Sequence, residues 1–207
     1  MAANIIFPEN ITSHPGISDV VVDTNVFIDI LDGQSYHQQN AVDLISNLTS
    51  SNINMYITQT IQHELMDIIQ RVYTQDLAIQ YNISIGNYKG NQGFKKLQKE
   101  LEIRCPNYFQ TVAANRDAAM SDILSMVDVL ENPTDYCTRV MTLQKQFNGC
   151  VEVSDTGIVL TAFEYGINTI ATGDFGYSKI NGINVIPIKK GGYKNHVGSS
   201  ILIPFKP

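Results

Sequence analysis

Short apolar runs alternate with one-sided apolar stripes in the first part and the last third of this chain. Short runs rich in β-branched residues are typical of strands that are buried on both faces. Stripes with apolar residues three and four positions apart predict amphipathic helices between these strands. The alternation therefore predicts an α/β fold with a central, mainly parallel sheet flanked by helices. The predicted strands are Val20–Val22, Met55–Thr58, Thr169–Thr172 and Asn184–Ile188.

The apolar stripes predict helices whose ends carry suitable capping residues. Thr58 or Thr60 can cap the helix that follows the second predicted strand. Ser154 is a good N-cap for the helix before the third predicted strand, and Gly166 suits a left-handed turn at the end of that helix. The expected buried faces are Phe27, Ile30 and Leu31; Ala41, Leu44, Ile45 and Leu48; Ile61, Leu65, Ile68 and Val72; and Ile158, Val159, Ala162 and Phe163.

The alternation of strands and helices stops between about Thr74 and Asn148. A loop rich in Gly, Asn and Ser comes first, and helical patterns follow it. One of these helices should end before Asn132-Pro133, because the residue before a proline is disfavoured in a helix. We interpret 74–148 as a mostly helical insertion in a single domain that spans 19–207, with 1–18 as a lead-in. The helices predicted within the insertion are Phe94–Leu101, Asn115–Leu130 and Tyr136–Phe147.

Length and composition narrow the class of protein only slightly. A chain of 207 residues with 43% hydrophobic residues can form one domain with an insertion. No apolar run approaches the roughly 18 residues expected of a membrane span. The first 19 residues contain no Lys or Arg, so the basic start of a secretory signal is absent. Cys105, Cys137 and Cys150 form neither a C-x-x-C pair nor a zinc pattern, which predicts reduced thiols in a cytoplasmic protein.

Four carboxylates lie at or just beyond the ends of predicted strands. Asp23 follows the first strand and Asp174 follows the third, while Glu64 and Asp155 lie in the first turns of helices. The carboxyl ends of parallel strands share one edge of a sheet, where ligands bind. Carboxylates crowded at that edge repel one another, and a hard divalent cation relieves the repulsion. The pattern therefore predicts a metal-dependent enzyme that acts on phosphate.

The net charge of −6 counts against tight binding of duplex nucleic acid, but not against a nuclease that contacts a short stretch of RNA. Asp67 could replace Glu64 in the acidic cluster, and Glu152 could replace Asp155. His63 is interpreted as a surface residue. Basic side chains that could guide RNA have a simpler interpretation as solvated surface; they are Lys95, Lys96, Lys99 and Arg104, and Lys189, Lys190 and Lys194.

Four short motifs together resemble the PIN-domain ribonucleases, the family of VapC-type toxins and several RNA-processing nucleases. The resemblance covers roughly 19–73 and 150–188. The long insertion and Gly157 depart from the compact toxin members of that family. The motifs are Val22-Asp23-Thr24-Asn25-Val26-Phe27, Glu64-Leu65, Ser154-Asp155-Thr156-Gly157 and Thr172-Gly173-Asp174-Phe175.

The resemblance implies a three-layer α/β/α fold and cleavage of RNA to leave a 5′-phosphate and a 3′-hydroxyl. One or two Mg²⁺ or Mn²⁺ ions would be held by Asp23, Glu64, Asp155 and Asp174. Thr24 or Asn25 would orient the carboxylates by hydrogen bonds. The resemblance is also compatible with a homodimer and with a protein inhibitor (an antitoxin), although no sequence feature points to an inhibitor.

Two other functions remain open at this point. A haloacid-dehalogenase-like phosphatase also has an Asp after its first strand and uses Mg²⁺. That family requires a second Asp two positions later as a general acid, where this chain has Asn25. The second alternative is a catalytically silent PIN-like scaffold that binds RNA or protein. The four intact acids argue against this alternative.

Overall fold

The computed structural model describes residues 4–13, 16–32, 35–147 and 151–188. The chain divides into two compact units. The first consists of the described residues of Met1–Gln62 and Met126–Pro207, and the second is His63–Ser125.

Six parallel strands form one sheet in the first unit, in the order β1-β6-β5-β2-β3-β4. The mainly parallel sheet predicted from the sequence is therefore confirmed. The inner strands β2 and β5 consist almost entirely of buried residues, as expected for strands covered on both faces. The strands are β1 (Asn4–Ile5), β2 (Asp19–Val22), β3 (Asn54–Thr58), β4 (Asp128–Leu130), β5 (Thr169–Thr172) and β6 (Asn184–Pro187).

Helices flank this sheet, and others form most of the second unit. Thr58 caps the helix after β3, since its hydroxyl accepts a hydrogen bond from the Ile61 N–H at 3.3 Å. Gly166 takes the left-handed conformation that was predicted after the last helix, with φ of 73°. The α-helices are α1 (Thr24–Leu31), α2 (Gln38–Ser50), α3 (Gln59–Gln80), α4 (Gly90–Arg104), α5 (Tyr108–Leu124), α6 (Tyr136–Gln146) and α7 (Val153–Glu164).

The second unit has an apolar core of its own, contributed by the later turns of α3 and by α4, α5 and the segment between α3 and α4. The buried hydroxyls of Thr74 and Tyr108 lie 3.3 Å apart at this core. Burial of these side chains holds the three helices together within the unit. The buried residues of this core are Leu77, Ala78, Ile83, Leu97, Leu101, Cys105, Tyr108 and Val112.

Two short strands were not predicted from the sequence. The predicted lead-in contains β1, which pairs in parallel with β6, and a 3₁₀-helix at Pro8–Ser13. The helix predicted at Asn115–Leu130 is wrong at both ends, because α5 spans Tyr108–Leu124 and the last three residues form β4 beside β3. Strands of two and three residues are too short to show a period-two pattern.

The second unit, His63–Ser125, overlaps the predicted insertion at 74–148, whereas β4 and α6 belong to the first unit; the bounds of the insertion stay a prediction. The predicted buried face of α3 is also partly wrong. Ile61 and Leu65 are fully buried, but Ile69 is buried in place of Ile68, and Val72 is 42% exposed. Adjacent isoleucines at 68 and 69 fit two neighbouring stripes of a helix equally well.

Within the described residues, no helix is both long and apolar enough to cross a membrane. Cys105 is a buried free thiol and Cys137 an exposed one, in agreement with the prediction of reduced cysteines. Cys150 lies outside the described residues.

Candidate active site

Three of the four predicted acids converge at one edge of the sheet. Asp23 directly follows β2, and Asp174 lies two residues beyond β5, the strand next to β2. Asp155 approaches from the first turn of α7. A Cβ atom built on Gly176 would lie 3.4 Å from Asp174 Oδ1 and 3.6 Å from Asp155 Oδ2. These two carboxylates therefore border the same small volume.

Asp23 is held in a fixed orientation by three donors. Its side chain is 5% exposed. The Thr24 N–H donates to Oδ1 at 2.7 Å, which caps the start of α1. The Asn25 side-chain amide and the Thr172 hydroxyl each donate to Oδ2 at 2.6 Å. The carboxylate thus joins the ends of two adjacent strands.

Asn25 and Thr172 extend this network to Asp174. Asn25 Oδ1 accepts from the Gly173 N–H at 2.7 Å. Thr172 Oγ1 accepts from the Asp174 N–H at 2.9 Å. Of the two residues predicted to orient the carboxylates, Asn25 contacts Asp23 through its side chain, and Thr24 through its backbone N–H. Thr172 was missed, although a threonine at the end of a buried strand, two residues before an acid, was a usable signal.

Asp155 is half-buried, and its ionisation is opposed by its surroundings. Burial raises the pKa of its carboxyl to about 7, and the negative charges of Asp23, Asp174 and Glu152 act in the same direction. A hydrogen bond from the Tyr177 hydroxyl to Oδ1, at 3.0 Å, opposes that rise. Burial, with the charges of Asp23 and Asp155, raises the pKa of Tyr177 well above its usual value, so this buried phenol stays a donor. Sequence reasoning missed Tyr177.

The start of α7 differs by two residues from the prediction. Ser154 lies within the helix, and extended Glu152 is the N-cap. The Gln144 side chain donates to the Val151 and Glu152 carbonyls at 2.8 and 2.9 Å. This bridge from α6 holds the residues that enter α7, and with them the turn that carries Asp155; because it donates to carbonyl oxygens, it does not cap the free N–H groups of the first turn.

Gly157 allows α6 to approach α7 closely. A Cβ at this position would lie 1.8 Å from the Tyr136 hydroxyl and 2.8 Å from Tyr136 Cζ. The same hydroxyl lies 2.8 Å from Thr60 Oγ1 in the first turn of α3. Gly157, which departs from the compact members of the family it resembles, is thus required by the packing of Tyr136 in this chain.

The remaining predicted site residues lie on α3, on α4 and at the start of α7, or outside the described residues. Glu64 is half-buried on α3 in the second unit, and its membership in the site stays a prediction. His63 and Asp67 are exposed on the same helix. Glu152 is exposed at the start of α7. Lys95, Lys96 and Lys99 are exposed on α4, whereas Lys189, Lys190 and Lys194 lie outside the described residues.

The chemistry of the cluster fits a hard divalent cation, which takes carboxylate oxygens as ligands. A cation beside Asp155 would favour the ionised form that burial and neighbouring acids now disfavour. Among the described residues, however, no three His, Cys, Asp or Glu side chains stand close enough to hold an ion.

Comparison with solved structures identifies the architecture. One chain of VapBC2 from Rickettsia felis, solved bound to a DNA fragment from its promoter, aligns with a TM-score of 0.51 over 82% of this chain and 98% of that one. The chain has a PIN-like fold. At 10% sequence identity, this likeness shows the fold alone.

Other solved structures align less closely with this PIN-like chain. VapBC from Salmonella typhimurium, bound to DNA, gives a TM-score of 0.47 at 14% identity, over 83% of this chain and 98% of that one. FitAcB from Neisseria gonorrhoeae gives 0.42 at 16% identity, over 82% of this chain and 97% of that one. No protein-family model and no curated protein sequence matches the chain.

Proposed function

We propose that this protein is a metal-dependent endoribonuclease that hydrolyses phosphodiester bonds of RNA. The convergence of Asp23, Asp155 and Asp174 at the carboxyl edge of a parallel sheet carries the proposal. Ligands of open α/β sheets bind at this edge. The PIN-like fold supports the same assignment, because it is the fold that the sequence motifs resemble.

The three acids, with Glu64 as the proposed fourth, would hold Mg²⁺ or Mn²⁺. A bound ion would supply an activated water and neutralise charge that develops on the scissile phosphate. Asn25 and Thr172 keep the Asp23 carboxylate pointed in one direction. Tyr177 does the same for one oxygen of Asp155. Such support from neighbouring hydrogen bonds typically contributes 10- to 100-fold to metal affinity or activity.

The hydroxyl groups at the site favour attack by water over a mechanism with a covalent intermediate. The Thr172 hydroxyl donates to Asp23, and the Tyr177 hydroxyl donates to Asp155. Each proton is therefore directed at a carboxylate, and the Thr172 oxygen also accepts from the Asp174 N–H, so both hydroxyls serve to position the acids. A general base for water is more readily supplied by the acids themselves.

A dehalogenase-like phosphatase has weaker support. Its general acid would occupy the position of Asn25, whose amide donates to Asp23 and whose oxygen accepts from Gly173. An amide fixed at both ends cannot protonate a leaving group. A silent scaffold is the second candidate. It is favoured because no three potential metal ligands lie close enough together among the described residues to hold an ion.

An RNA cleavage assay with a phosphatase arm separates the three functions. Labelled single-stranded RNA and para-nitrophenyl phosphate are incubated with the protein and Mn²⁺, before and after chelation. We expect metal-dependent cleavage of RNA and no release of nitrophenol. Asp23→Asn should lower the cleavage rate by at least about the 10- to 100-fold loss typical of residues that merely support a metal ligand.

Asp128→Asn is the matched control for Asp23→Asn, because it removes an exposed carboxylate from β4. It should cleave RNA at the wild-type rate. Nitrophenol release without RNA cleavage would favour the phosphatase, and RNA binding with neither reaction would favour the scaffold. Cleavage that persists unchanged in Asp23→Asn would place the activity elsewhere.

The proposal also covers the cellular location and the assembly of the enzyme. We place it in the cytoplasm with RNA as substrate, and we include a homodimer and a protein inhibitor of the antitoxin kind as proposed assemblies. Light scattering on the purified protein tests the homodimer: twice the chain mass of 23.0 kDa is expected, and a single chain mass would remove that part of the proposal.

A further inference from the structure

A pocket of about 360 Å³, lined mostly by residues with polar side chains, lies on the second unit, between α3 and α4. Its α3 wall consists of residues spaced three and four apart, which places them on one face of that helix. Its α4 wall has the same spacing. We call it the α3–α4 pocket, and it is lined by Asp67, Gln70, Arg71, Asn91, Phe94, Lys95 and Gln98.

The guanidinium group of Arg71 is held in place inside this pocket. Its Cζ lies 5.4 Å from the centre of the Phe94 ring, a cation–π contact. Its Nη2 also donates to Asn91 Oδ1 at 3.1 Å. A planar cation that is fixed by an aromatic ring and an amide offers a surface on which a nucleobase can stack.

The side-chain amides of the pocket present donors to a ligand. The Gln70 oxygen accepts from Arg116 Nη1 at 3.3 Å, and the Asn91 oxygen accepts from Arg71. Because both oxygens already have guanidinium partners, the two amide NH₂ groups are left as donors. Together with the ammonium group of Lys95, they match the oxygens of a phosphate or a base.

Asp67 is the single acidic residue among the seven that line the pocket. Its carboxylate would repel a phosphate placed beside it, but it can accept a hydrogen bond from a ribose hydroxyl. Arg71 and Lys95 outnumber it, so these side chains carry a net positive charge on a chain whose total is −6. The pocket therefore favours an anionic ligand that also has a planar ring and a sugar.

We propose that the α3–α4 pocket binds one nucleotide of an RNA strand. The base stacks on the Arg71 guanidinium, and the phosphate faces Lys95 and the amide donors. A volume of about 360 Å³ lies near the lower end of the roughly 300–1,000 Å³ typical of small-molecule sites, which suits one nucleotide. This inference rests on the proposed function only in taking RNA as the natural ligand, since binding needs no cleavage.

Binding is measured by fluorescence anisotropy with a short labelled oligoadenylate. The protein carries Asp23→Asn and is free of divalent ions, so that the strand is not cut. Lys95→Ala and Lys96→Ala form the decisive pair: both remove one exposed lysine from α4, but only Lys95 lines the pocket. We expect Lys95→Ala to weaken binding severalfold and Lys96→Ala to leave the dissociation constant within about twofold.

Arg71→Lys tests the stacking surface, because it keeps the charge and removes the planar guanidinium. Loss of one stacked base corresponds to at least about a fivefold weaker dissociation constant. Circular dichroism and thermal unfolding show whether each variant is folded. If Arg71→Lys binds as wild type does, or if the two lysine variants bind equally, the pocket is not the site.

Competition separates a nucleotide site from a simple anion site. Adenosine monophosphate should displace the labelled strand, whereas inorganic phosphate at the same concentration should not. Equal displacement by both would overturn the stacking claim. RNA binding that depends on Lys95 and Arg71, without any cleavage by the wild type, would support the pocket and refute the nuclease. If the wild type cleaves RNA but the Lys95 and Arg71 variants bind RNA as tightly as the wild type, the pocket is refuted and the nuclease is not.

Discussion

Asp155 is held where its ionised form is disfavoured by burial and by three neighbouring acids. Its position in the first turn of a helix could be predicted from the sequence, because Asp155 precedes the apolar stripe by only a few residues. Its partner Tyr177 could not, since the contact joins residues 22 apart across β5 and a loop. The same holds for Thr172, whose partner Asp23 is 149 residues away. Local patterns place the acids, but the groups that fix them depend on tertiary structure.

The raised pKa of Asp155 predicts how stability changes with pH in the metal-free protein. The folded-state pKa of about 7 exceeds the ordinary value of 3.8, so the folded protein holds this proton more tightly than the unfolded chain. This contribution to stability is fully present below about pH 4 and is lost as the pH rises through 7. Asp155→Asn removes that dependence and should be the more stable protein at pH 8.

Urea unfolding of both proteins between pH 4 and pH 8, with a chelator present, measures this difference. The free energy of unfolding of the wild type should fall relative to that of Asp155→Asn as the pH rises. Asp128→Asn, which alters an exposed carboxylate, should follow the wild type. Parallel curves for wild type and Asp155→Asn would contradict the environment assigned to this residue.

Among the elements, the strands of four or five residues follow from hydrophobic periodicity, whereas the shorter strands β1 and β4 and the ends of α5 do not. β2, β3, β5 and β6 were predicted within one residue at each end. β4 exposes Asp128 and buries only Leu130 in three residues, so its position depends on the backbone of β3 and not on its own pattern. The residues that enter α7 are held by Gln144 of α6, a contact between two helices that no local capping rule includes.

The contact between α6 and α7 predicts an unusual response to Gly157→Ala. Alanine in place of glycine inside a helix is normally stabilising by roughly 0.5–1 kcal/mol. Here the added Cβ would lie 1.8 Å from the Tyr136 hydroxyl, so the Tyr136 side chain or the helices must shift. We expect a loss of about 1–3 kcal/mol of unfolding free energy, as is typical of overpacking.

Chemical denaturation measures this loss, and Gly86→Ala is the control, because a Cβ at Gly86 has no atom within 4 Å. In a Tyr136→Ala background, Gly157→Ala should cost much less or should stabilise. An equal loss in both backgrounds would show that the hydroxyl of Tyr136 is not what excludes a side chain at position 157.

For the whole molecule, the sequence predicts the parallel sheet and four acids at one of its edges, because parallel topology brings strand ends together; Asp23, Asp155 and Asp174 lie together there, and Glu64 stays a prediction. The sequence predicts one domain with an insertion at 74–148, which stays a prediction, whereas the described residues cluster into two compact units and β4 and α6 belong to the first. The tertiary origin of that boundary is the pairing of β4 with β3, which joins residues more than 70 positions apart.

Thermal unfolding with Mn²⁺ tests most directly whether Asp23, Asp155 and Asp174 act together as one cation site. An ion that binds the folded site and not the unfolded chain should raise the melting temperature, with a gain of about 2.7 kcal/mol at one hundred times its dissociation constant. The wild type and Asp128→Asn should show the full shift at millimolar Mn²⁺. Asp23→Asn, Asp155→Asn and Asp174→Asn should each lose most of it. A shared metal site would be contradicted if Mn²⁺ left the melting temperature of the wild type unchanged, or if it raised the melting temperatures of all five proteins equally.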